Sequence, residues 1–115
     1  MDLEKRRKLE AAGWVVGSAS DFLELTPEEE RLVELRLALS KRVRQLRQEK
    51  GLTQNNVASL VKSSQSRVAK LESGDSSVSL DVLIRVAFSL EETYEDLADL
   101  FHQLHQNRSA KLSGL

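Results

Sequence analysis

Residues 52–74 read LTQNNVASLVKSSQSRVAKLESG, and their pattern divides into two short helices around a tight turn. Thr53 is placed to cap the first, after which Val57, Ala58 and Val61 recur at helical spacing. Ser64 can cap the second, whose buried side is Val68 and Leu71, and Gly74 supplies its stop. Opposite Val68 and Leu71 lie Ser66, Ala69 and Lys70, flanked by Gln65 and Arg67. That outer face combines amide, hydroxyl and cationic groups with small side chains, a chemistry suited to base edges and phosphate.

Upstream, Thr26-Pro27-Glu28-Glu29 is a helix start with a capping Thr, Pro at the first helical position and Glu at the third to close a capping box. Nothing interrupts the helix over residues 27–50. Leu32, Leu35, Leu39, Val43 and Leu46 form its apolar stripe, widened in the first half by Val33 and Leu37. Before it, residues 1–12 are charged and helix-compatible, and Gly13 is a stop. Trp14, Val15, Val16, Phe22, Leu23 and Leu25 then follow with no clean period. They are too apolar for a disordered tail and are expected to cover the widened stripe.

Downstream, Ser79 caps a fourth helix with Leu80, Leu83, Ile84, Ala87 and Leu90 inward. Thr93 caps a fifth carrying Leu97, Leu100, Phe101 and Leu104. No convincing strand pattern occurs. The expected fold is all-α: a five-helix domain over residues 27–107, an N-terminal helical or irregular extension over 1–26, and a flexible tail over 108–115.

The 115 residues carry a formal net charge of -1, but the charges are segregated. Residues 41–74 hold eight cations against two anions, and residues 75–100 seven anions against one cation, Arg85. Such a layout offers phosphate one face and something else the other. The chain has no cysteine, which excludes disulfides, thiolate metal sites and cysteine nucleophiles. No apolar run is long enough for a membrane span, and the opening MDLEKRRKLE lacks a signal-peptide core, so a soluble, cytoplasmic protein is expected. His102 and His105 lie three apart on a helix with nothing evident to complete a metal shell. Neither a glycine-rich phosphate loop nor a nucleophile constellation is present, so no enzyme activity, metal or cofactor is expected.

Leu52-Thr53-Gln54, Ala58, Ser64, Ser66, Val68, Glu72-Gly74 (with Ser73 between), Ser79-Leu80-Asp81, Leu83, Ala87 and Leu90 together resemble the lambda repressor and Cro type of helix-turn-helix, the XRE family, over residues 40–100. Two positions depart from its pattern: Lys62 stands at the usual turn glycine and Glu91 at the glycine that ends the fourth helix. Lys in a left-handed turn costs roughly 1 kcal/mol relative to Gly, which predicts a looser or altered turn.

The resemblance implies a lambda-repressor-like domain that binds operator DNA as a homodimer and acts as a repressor. It gives Gln54 a hydrogen bond to phosphate and a buttressing role behind Gln65, which would read adenine. Ser64, Ser66, Arg67 and Lys70 extend that face; Arg42, Arg44, Arg47 and Lys62 are candidates for phosphate. Glu72 and Gly74 are assigned to structure. Dimerisation is expected through Leu97, Leu100, Phe101 and Leu104, which lie beyond what a four-helix core requires. Within the family, the run 63–70 and the segment 22–30 are most similar to HigA-type antitoxins. Those repress their own operon and neutralise a RelE/HigB-like ribonuclease toxin. A second reading stays open, in which the scaffold is a protein-interaction module without specific DNA readout.

Overall fold

The capping residues lie where the pattern puts them, and each begins a helix. In the computed structural model, which describes residues 24–113, these are α1 (Pro27–Glu49), α2 (Gln54–Leu60), α3 (Gln65–Glu72), α4 (Leu80–Ser89) and α5 (Tyr94–Ser113). The fold is all-α, with no strand among the described residues. Thr26 accepts from the Glu29 amide at 3.1 Å while its own amide donates to Glu29 Oε1 at 3.1 Å, closing the predicted capping box. Thr53 with Asn56 and Thr93 with Asp96 make the same reciprocal pair. Ser64 and Ser79 cap through the amides of Arg67 and Val82.

The first four helices all end by one device. The residue past each C-cap is left-handed: Gly51, Lys62, Gly74 and Glu91, with φ of 68°, 56°, 78° and 72°. The next amide in each case reaches back five residues, as Leu52 to the Arg47 carbonyl, Ser63 to Ala58, Asp75 to Lys70 and Glu92 to Ala87. The looser turn expected at Lys62 is therefore not what forms. Lys62 takes the left-handed conformation that glycine would, and the Ser63 amide bond closes at 2.7 Å. At Gly74 a side chain is excluded twice over: φ is positive, and a Cβ would lie 2.9 Å from Leu37 Cδ2.

Leu39, Val43 and Leu46 of α1 form one core with Val57, Ala58, Val68, Leu71, Leu83, Val86, Ala87, Leu90 and Leu97. The principal packings set α1 against α4 and α2 against α3. Leu35 packs at the edge of this core, whereas Leu32, expected inside, is 50% exposed. The core packs on α1 from Leu35 onward, while Val33 in its first turns and Leu25 before it are also buried.

Ion pairs fasten the ends. The Arg42 guanidinium clasps the buried Glu92 carboxylate at 2.7 and 2.8 Å, and this hydrogen bonding holds the Arg42 pKa above its ordinary value despite partial burial. Lys50 reaches Glu91 at 2.9 Å. Arg36 donates to the Val78 carbonyl, tying the middle of α1 to the loop before α4. The tail expected from residue 108 instead continues α5 to Ser113, because Arg108 pairs with Glu34 and lies 3.6 Å from Glu30 on α1. Trp14, Val15, Val16, Phe22 and Leu23, and with them the expected docking of the extension, lie outside the described residues.

Candidate nucleic-acid interface

A relay of side chains runs from the scaffold to the outer end of α3. Arg47 sits on the last turn of α1, and its guanidinium donates to Glu72 through Nε at 2.6 Å and Nη2 at 2.9 Å, and to the Leu52 carbonyl at 3.0 Å. Glu72 raises the Arg47 pKa, mainly by this hydrogen bond. Glu72 also accepts from Gln54 Nε2 at 3.3 Å, and Gln54 Oε1 accepts from Gln65 Nε2 at 2.6 Å.

A carboxylate clasped by Arg47 only accepts, so Gln54 turns its Nε2 toward it and its Oε1 faces Gln65. Gln65 is left with Oε1 and one N–H unengaged at the exposed start of α3. An acceptor and a donor so arranged match the N6 amine and N7 of adenine in the major groove.

Lys62, Ser66, Arg67 and Lys70 are exposed beside Gln65 on the turn and α3. The Ser64 hydroxyl is engaged by the Arg67 amide and lies 3.3 Å from the Ser66 hydroxyl, so it serves the helix cap first. Arg44 is exposed on α1 and has no ion pair among the described residues. Arg47 does not join the free phosphate candidates, since all its donor groups in the relay face Glu72 and Leu52. Arg42 is likewise held by Glu92.

Of the eight cations between residues 41 and 74, Arg42, Arg47 and Lys50 are thus paired. The others, Lys41, Arg44, Lys62, Arg67 and Lys70, have no ion pair among the described residues. The pairing of Arg47 with Glu72 had no local sequence signal. Arg85 was also missed as a surface group near α3, though its isolation in an acidic run marked it out.

On α5 the expected interface residues divide. Leu97 is 7% exposed and belongs to the core, and Leu100 packs on the same core. Phe101 is 44% exposed and Leu104 partly so. The four therefore do not form one face open to a second chain. His102 and His105 are exposed, and no group of three or more potential metal-binding side chains occurs among the described residues. No helix among them is long and apolar enough to cross a membrane.

No curated protein and no solved structure matches this chain. A family model described as helix-turn-helix matches residues 43–97, from the second half of α1 to the first turn of α5. Over that stretch, which contains the whole relay and both helices of the motif, the chain is similar to the helix-turn-helix family in sequence and lambda-repressor-like in its all-helical architecture.

Proposed function

We propose that the protein is a sequence-specific, DNA-binding transcriptional repressor that docks as a homodimer, with α3 entering the major groove of each half-site. The observation that supports this reading is the relay, which ties Gln65 to Gln54 and leaves the rest of its amide open at the exposed start of α3, where it could meet an adenine edge. Gln54, Ser66 and Lys70 flank that edge, and Arg44, Lys62 and Arg67 supply phosphate contacts that position without specifying.

The dimer seam in this reading uses the outer side of α5, where Tyr94, Ala98 and Phe101 recur at helical spacing and are exposed. Leu97 and Leu100 serve the core instead. The finer role is that of an antitoxin repressing its own operon and binding a small basic ribonuclease. Acidic Glu28, Glu29 and Glu30 at the start of α1 support it, through electrostatic steering of a cationic partner.

Fluorescence anisotropy with DNA from upstream of its own gene tests the main reading. Gln65→Ala should cost about 1–3 kcal/mol at the cognate site and relax preference at one base, whereas Arg44→Ala should weaken all sequences alike. An unchanged ratio of operator to scrambled DNA for Gln65→Ala would refute the readout role. Binding to operator without salt dependence would favour the interaction-module alternative.

A further inference from the structure

A groove of about 570 Å³ lies between the turn, α3 and the first turns of α4. Four cations line it, Lys62, Arg67, Lys70 and Arg85, and no acidic side chain does. None of the four has an ion pair among the described residues. Between them the wall is apolar, built from Val61, Val68, Val82 and Val86, and Val82 stays substantially exposed.

The groove is also preformed. The left-handed Lys62 fixes one wall, Arg36 holds the Val78 carbonyl in the opposite one, and Asp75 fastens Ser77 through both its amide at 2.8 Å and its hydroxyl at 2.7 Å. Its volume is that of a small-molecule site, and its composition is apolar with a few convergent charges.

We infer that this groove binds a small amphipathic anion, with an acyl or aryl body on the valines and a carboxylate or phosphate held by Arg85 and Lys62. Charge complementarity selects an anion, and the valine wall selects one with an apolar body. A duplex backbone can meet Arg67 and Lys70 at the rim but carries nothing apolar to cover that wall. Because Arg67 and Lys70 also belong to the DNA face, the ligand and operator compete; this clause rests on the proposed function.

The test is calorimetric titration of the full chain with decanoate below its micellar concentration, beside inorganic phosphate and decanol. Decanoate should bind one per chain, at least tenfold tighter than either control. Arg85→Ala and Val82→Asp should each weaken it tenfold or more. Both positions are exposed, and Asp is compatible with the first turn of α4, so unchanged thermal melts verify the fold. In anisotropy, decanoate should displace operator from wild type and not from Val82→Asp. If neither variant alters decanoate binding, or phosphate binds as tightly, the inference is wrong and the groove is a phosphate rim. Decanoate binding by a protein that ignores operator would overturn the DNA reading alone, and operator binding without decanoate binding would overturn this one alone.

Discussion

Glu72→Ala should break the brace behind the reading helix. Its carboxylate takes two Arg47 hydrogen bonds and one from Gln54, and the two charged side chains are 4% and 14% exposed. Each hydrogen bond to a charged group contributes about 1.5–3 kcal/mol net, and removing one partner of a buried pair costs roughly 3–5 kcal/mol. Arg47 keeps the Leu52 carbonyl and a little solvent, which puts the expected loss near the lower end, about 3 kcal/mol. Against a total stability of about 5–15 kcal/mol this is large, and for a domain of this size it lowers Tm by roughly 12–24 °C. Denaturant unfolding of wild type, Arg47→Ala, Glu72→Ala and the double variant gives the coupling, expected at about 2 kcal/mol or more. At a temperature where all are folded, Glu72→Ala should also lose operator discrimination, because Gln54, and through it Gln65, loses its support. A coupling below about 0.5 kcal/mol, the level of independent sites, would refute the idea that this pair holds the relay.

Lys62→Gly relieves a left-handed lysine and should stabilise the fold by about 1 kcal/mol in thermal melts, while weakening DNA binding by one cation. Gly74→Ala should destabilise by more than the strain of about 1–2 kcal/mol alone, because its Cβ also meets Leu37; denaturant midpoints measure it. Thr93 holds the Asp96 carboxyl below its ordinary value of 3.8, first through its hydroxyl and then through its amide. A lowered folded pKa gives stability that is present above the unfolded value and lost as pH falls through the folded one. Melts of wild type should therefore fall more steeply with acid below pH 3.8 than those of Asp96→Asn.

What the sequence carried was the chemistry that acts over three or four residues. Thr26, Thr53, Ser64, Ser79 and Thr93 each satisfy amides of their own first turn, so their positions mark helix starts without knowledge of the fold. The pairings that assemble the site act over longer spans: Arg47 with Glu72 lies 25 residues apart, Arg42 with Glu92 50, and Arg108 with Glu34 74. Nothing in a helical period says whether an exposed-looking arginine will meet a carboxylate on another helix, and so in the sequence Arg42 and Arg47 look like phosphate contacts. Leu97 misled for a related reason. A stripe says that a face is buried but not by what, and here the core of the same chain takes it in.

The repeated helix ending has a consequence for amide exchange. Leu52, Ser63, Asp75 and Glu92 all lie outside the helices, where backbone N–H groups ordinarily exchange at loop rates. Each is instead bonded to a carbonyl in the last turn of the preceding helix, at 3.0, 2.7, 3.1 and 3.0 Å. These amides can open only when that turn unwinds, so their protection factors should follow those of the helices they close. Mapped by deuterium uptake, α1 to α4 should each extend three residues past their last helical residue.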